Sequence, residues 1–67
     1  MDTIDVLSEK MADELRDAMS YAKMAMDHRD KHPDLANSLH EISRQELEHM
    51  RMLHDAAVKI IDELLER

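Results

Sequence analysis

Three ionisable residues in this 67-residue chain have the types and spacing to hold a metal ion. Glu46 and His49 lie three apart within RQELEHMRMLH (44–54). Residues at i and i+3 share one face of a helix, so the carboxylate and the imidazole can reach a common centre. The spacing alone says little, because seven Glu and five His in 67 positions supply about half an instance by chance. Its weight comes from a second carboxylate, Glu14, which the helical pattern sets at the same depth. Carboxylate and imidazole donors suit Fe, Mn and Zn rather than Cu(I), and the chain offers no thiolate.

The elements that position these residues must be helices. The sequence has no Gly, one Pro and one aromatic residue, and it is rich in Ala, Leu, Met, Glu, Arg and Lys, the strong helix formers. Its one strong interruption is DHRDKHPDL (27–35). Pro33 fits only a first helical turn, and it pushes His32 away from helical angles. The reading is one domain over 1–67: helix 1 over about 3–30, capped by Asp2 or Thr3, a turn at about 30–33, and helix 2 over about 34–66. So short a connection makes the helices antiparallel neighbours. No linker, repeat or low-complexity segment is visible.

Spacings of three and four trace an apolar seam. On helix 1 it reads Ile4, Leu7, Met11, Glu14, Ala18, Tyr21, Ala25, His28; on helix 2 it reads Leu35, Leu39, Ile42, Glu46, His49, Leu53, Ala56, Ile60, Leu64. Glu14, Glu46 and His49 interrupt its middle, where ionisable groups are costly unless paired or metal-bound. Counted from the turn, Glu14 lies roughly 17 residues back and Glu46 and His49 roughly 15–18 forward, so all three sit about 25 Å along the hairpin. A flanking apolar stripe comprises Leu15, Met19, Ala22 and Met26 on helix 1, and Leu47, Met50, Ala57, Ile61 and Leu65 on helix 2. One hairpin cannot bury both. A domain this small also needs a staple, and a disulfide is excluded because there is no cysteine. The expected fold is therefore all-α: an antiparallel helical hairpin that dimerises into a four-helix bundle. A two-fold dimer doubles the ligands to four Glu and two His. That is the set found in di-iron and di-manganese carboxylate bundles, a Glu from each of two helices and Glu-x-x-His from each of the other two.

MADELRDAMSYA (11–22) followed by LHEISRQELEHMRMLH (39–54) resembles the ferritin-like superfamily, closest to its two-helix members, the encapsulated ferritins and small prophage-associated ferritin-like proteins. The resemblance spans residues 8–62 or so. It implies terminal metal ligands at Glu14 and His49, a bridging carboxylate at Glu46, and two iron ions per dimer, with Mn or Zn as alternatives. The activity it implies is ferroxidase chemistry: Fe(II) oxidation by O2 for iron storage or detoxification. Encapsulated ferritins carry a C-terminal targeting peptide, whereas this sequence ends IIDELLER. An encapsulating shell protein, and residence in a nanocompartment, are thus expected only for a longer chain.

The remaining residues carry weaker signals. Tyr21, seven after Glu14, is placed to hydrogen-bond a ligating carboxylate. His28, His32, His40 and His54 read as ordinary partly exposed histidines, the Met residues as core filler, and the other Glu as solvated helix charges. A net charge of −7 disfavours nucleic acid and anionic membranes. No signal peptide or membrane-spanning run is visible, so the cytoplasm is the expected compartment. The competing reading is a non-catalytic helical interaction module whose polar or structural-metal seam only fixes register.

Overall fold

The computed structural model describes residues 2–66 and places them in two packed α-helices, α1 (Thr3–His28) and α2 (Pro33–Leu65), with no strand among them. Each boundary has a local cause. At the start of α1, a carboxylate oxygen of Asp2 accepts the Asp5 N–H at 2.9 Å, satisfying one of the donors that a helix start leaves free. Pro33 occupies the first turn of α2, where its missing N–H costs nothing, and His32 before it adopts φ −138°. The link between the helices needs no residue at positive φ, and the chain without Gly has none among its described residues. The result is a thin rod of 56 × 18 × 10 Å, its long axis set by the 33 residues of α2.

The helices meet through small side chains. Among the described residues Ala18, Ala25, Ala36, Ala57 and Ser43 are buried, and no large side chain is fully buried. Small side chains let two backbones approach closely. One bond records that approach: the Ser43 hydroxyl donates to the Ala18 carbonyl at 2.6 Å, 25 residues away in sequence. This bond fixes the antiparallel register. Extended by heptads, it sets Ala25 level with Ala36, Met11 with Met50 and Ile4 with Ala57.

This register corrects the seam expected on α2. Leu39, Glu46, Leu53 and Ile60 do turn inward, but their companions are Ala36, Ser43, Met50 and Ala57 rather than Leu35, Ile42, His49 and Ala56. Leu35, His49, Ala56 and Leu64 are exposed, and Ile42 is half-buried. The physical reason is distance. A narrow gap admits Ala and Ser at its centre and pushes larger side chains one position over, to its edge. Met50 and Ala57, expected on the flanking stripe, belong to the seam. On α1 the expected seam from Ile4 to His28 is buried or half-buried throughout.

Ser43 thus carries both a hydrogen bond and a close contact. Ser43→Leu overfills the gap, and overpacking of this kind costs about 1–3 kcal/mol. Urea or thermal unfolding should show that loss, whereas Ser43→Ala should cost nearer 1 kcal/mol, the usual net worth of one hydrogen bond.

Much apolar surface stays uncovered. Leu15, Met19, Met26, Leu47, Ile61 and Leu65 are all exposed, Met19 at 65%. The accessible surface is 5483 Å². A globular monomer of this mass exposes about 4,400 Å². The excess, on the order of 1,000 Å², approaches what a specific protein interface buries. No helix among the described residues is long and apolar enough to cross a membrane.

Candidate metal centre

The register brings Glu14 of α1 against Glu46 and His49 of α2. One donor atom from each lies within 4.8 Å of the other two, and among the described residues this is the group of three or more His, Asp or Glu so arranged. The three differ in burial. Glu14 is deepest, with its side chain 13% exposed; Glu46 is half-buried in the seam; His49 stands at the seam edge, its side chain 57% exposed. His49 therefore reaches the group from outside, with Nδ1 at 3.6 Å from Glu14 Oε2. Lys10, one turn before Glu14, places Nζ at 3.8 Å from the other Glu14 oxygen. Lys10 was not singled out from sequence, although its i, i+4 spacing to Glu14 is the standard signal for such a pair.

The electrostatics are unresolved without a cation. Glu14 Oε2 is buried and has no hydrogen-bond partner among the described residues. An orphaned carboxylate oxygen is among the costlier things a fold can bury. The neighbouring Glu46 carboxyl is raised above its ordinary value of 4.5, chiefly by a hydrogen bond with Glu14. Partial desolvation and the charges of Glu14 and Asp17 add to this, and His49 opposes it. A Glu46 carboxyl that resists ionisation beside a second carboxyl marks a place short of positive charge. Lys10 supplies part of it, but as an exposed partner its pairing is weak.

The donors suit a first-row divalent ion. Metal–oxygen and metal–nitrogen bonds of about 2.0–2.2 Å put two ligands of one ion about 3–4 Å apart. The 3.6 Å between Glu14 and His49 already meets that condition. Three donors also leave coordination positions open, as a reactive centre requires and a structural one does not. Tyr21 is half-buried in the seam a heptad beyond Glu14. Among the described residues, no hydrogen bond joins its hydroxyl to the three donors.

The raised Glu46 gives a pH dependence with a definite sign. A carboxyl raised in the folded state binds its proton more tightly there than in the unfolded chain. Its contribution to stability is fully present below the ordinary Glu value and is lost as pH rises through the raised one. Chelator-treated protein should therefore melt at lower temperature as pH climbs out of the mildly acid range, and Glu46→Gln should flatten that slope. Metal uptake must displace the same proton, so metal affinity should rise over the same window.

The sequence matches the family model described as Rubrerythrin over residues 5–66. No curated protein and no solved structure matches it. The matched span contains both helices and all three converging donors, and rubrerythrins bind iron. On a match covering nearly its whole length, the chain belongs to the rubrerythrin family of the ferritin-like superfamily.

Proposed function

We propose that this protein is a ferroxidase whose iron site is completed by a second copy of the chain. The observation that carries the reading is the convergence of Glu14, Glu46 and His49 around a buried carboxylate oxygen that has no partner. In a two-fold dimer the donors become four carboxylates and two imidazoles. The carboxylates balance the charge of two Fe(II) ions, which are the substrate. Glu14 and His49 serve as terminal ligands and Glu46 as the bridge. Tyr21 is the group that would hydrogen-bond a ligating carboxylate once the bundle is assembled.

We place the second copy along one edge of the hairpin. On α2 the residues one position before the inward-facing Ala36, Ser43, Met50 and Ala57 form a heptad line: Leu35, Ile42, His49, Ala56. That line runs along one edge of the hairpin, and His49 is its only polar member. A partner laid along it covers Leu35, Ile42 and Ala56 and closes over His49 and Glu14 in the same event, leaving the Leu15, Met19 and Leu47 edge outside this contact. Seclusion from water strengthens every charge interaction at the site. It also leaves the orphaned Glu14 oxygen facing a cation instead of apolar surroundings.

The chemistry balances as 2 Fe(II) + O2 + 2 H⁺ → 2 Fe(III) + H2O2, with each iron losing one electron. The chain's part is to hold two Fe(II) at one place, so that both electrons reach one O2; its ligands release their protons to solvent on binding, and the two protons of the peroxide come from solvent. Lys10 leaves Glu14 when a better cation arrives. Anaerobic Fe(II) titration followed by air tests the proposal. It predicts saturation near one iron per chain, then O2 uptake with conversion to Fe(III). Saturation without oxidation would remove the ferroxidase reading and leave metal binding. No saturation at that ratio would remove the site.

A further inference from the structure

A second pair of donors lies at the turn end of the hairpin, away from the carboxylate centre near its middle. His28 is the last residue of α1 and His32 the N-cap of α2. Their ring centroids are 6.0 Å apart with the planes tilted by 51°. The backbone between them is not a loose loop. The His32 N–H donates to the His28 carbonyl at 2.8 Å, and the Ala36 N–H to the His32 carbonyl at 2.9 Å. These are i→i+4 bonds, so the turn keeps the spacing of one α-helical turn even though the helix axis reverses. Two histidines at i and i+4 on one helical face form a well-established chelate for divalent ions. Here the pair straddles the helix break and His32 is off helical angles; the 28–32 hydrogen bond and the 6.0 Å ring separation are what bring the two imidazoles together.

Both imidazoles are free to serve. His32 makes no side-chain capping bond. Among the described residues neither ring takes part in a hydrogen bond or an ion pair, unlike His49 and His54, which face Glu14 and Asp55. With metal–nitrogen bonds of about 2.0–2.1 Å, two imidazole centres on one tetrahedral ion lie about 5 Å apart. The observed pair needs to close by roughly 1 Å, within the reach of small side-chain rotations. The local charge favours a cation: Asp27, Asp30 and Asp34 outnumber Arg29 and Lys31, and Arg29 is already paired with Asp30 at 3.3 Å.

We propose that His28 and His32 chelate a divalent cation of the imidazole-preferring class, Zn(II), Ni(II) or Cu(II), at the turn. The site is separate from the carboxylate centre: Glu14 lies 14 residues earlier on α1, about 21 Å along the axis. Its donors are also different. Two neutral nitrogens open to water rank metals by the general affinity order, which places Fe(II) below Ni(II), Cu(II) and Zn(II). The hairpin thus offers iron a carboxylate-rich seam and competing metals an imidazole pair at its tip. A metal there ties the end of α1 to the start of α2.

Zinc titration of the full chain tests this. In a Glu14→Gln/Glu46→Gln background, calorimetry should retain one zinc class per chain. His28→Ala or His32→Ala should weaken that class on the order of tenfold or more, because the chelate's second attachment is lost. Equal zinc number and affinity with and without His28 would overturn the proposal. Should the double background fail to fold, the intact chain still decides. The ring resonances of His28 and His32 shift together on zinc addition if the site exists and stay fixed if it does not. His28→Ala leaves iron oxidation unchanged, so this result and that of the ferroxidase test are independent.

Discussion

Glu46→Ala should make the metal-free protein more stable and nearly abolish iron binding. The two effects have one cause. Glu46 is raised chiefly by its hydrogen bond with Glu14, with desolvation and the Glu14 charge adding to it, so the fold disfavours the ionised form of Glu46. Removing that carboxyl relieves Glu14. The same removal takes away the carboxylate placed to bridge two ions. Loss of groups that merely orient a ligand costs about 10–100-fold in metal affinity, and loss of a ligand should cost at least the upper end of that range. Chelator-treated melting curves read the first effect and anaerobic Fe(II) titration the second. Wild-type protein with iron at about 100 times its Kd should gain about 2.7 kcal/mol of stability, and the variant at the same concentration almost none. Glu46→Gln separates charge from volume: it should share the gain in metal-free stability and most of the loss in iron affinity. If both substitutions lower the metal-free melting temperature, the seam carboxyls act as structural polar contacts and the site loses its main support.

Where the sequence was legible, the reason was chemical. Pro33 has one comfortable place in a helix, so the position of the hairpin's break could be read directly. From that break, residue counting placed Glu14 level with Glu46 and His49, because helical rise is constant along both arms. The edge of the seam on α2 was not legible. Its pattern contains two interleaved heptad lines, Leu35–Ile42–His49–Ala56 and Ala36–Ser43–Met50–Ala57, and hydrophobicity favours the first. Packing against α1 favours the second, since Ala36, Ser43 and Ala57 are the α2 residues that bury fully, with the Ser43 hydroxyl reaching the Ala18 carbonyl. Nothing in Ser43 alone announces that its hydroxyl will reach a carbonyl 25 residues away. The burial of His49 was overstated for the same reason: it belongs to the line that the narrow seam displaces outward. The histidine pair at the turn was equally hidden, because its i, i+4 relation survives only if the backbone keeps its helical hydrogen bond through the break.

The displaced line leads to the second large expectation. Ile42→Lys, or Leu35→Lys with it, should yield monomers that bind iron weakly while every ligand remains in place. Leu35 is exposed, Ile42 is half-buried, and both share the edge that carries His49. A lysine there must lose its hydration to enter an apolar interface, and two-fold symmetry places the substitution on both copies. A monomer retains three donors from one chain. Separating the halves forfeits the effective concentration that makes six donors act together, an advantage typically worth 10²–10⁴ in affinity. Light scattering at micromolar protein should report the dissociation, and Fe(II) titration a drop on the order of 100-fold or more. Met19→Lys is the matched control. Met19 is 65% exposed on the other edge of the hairpin, among Leu15, Met26 and Leu47. In an antiparallel pair, positions just after the inward-facing residues of α1 lie opposite the edge formed by positions just before those of α2. Met19→Lys should therefore leave the iron stoichiometry intact. If Met19→Lys dissolves the site and Ile42→Lys spares it, the second copy docks on the methionine-rich edge, and His49 must reach its iron unaided by a partner. If neither changes the assembly or the iron count, the hairpin binds metal alone, and the shared two-iron site is wrong.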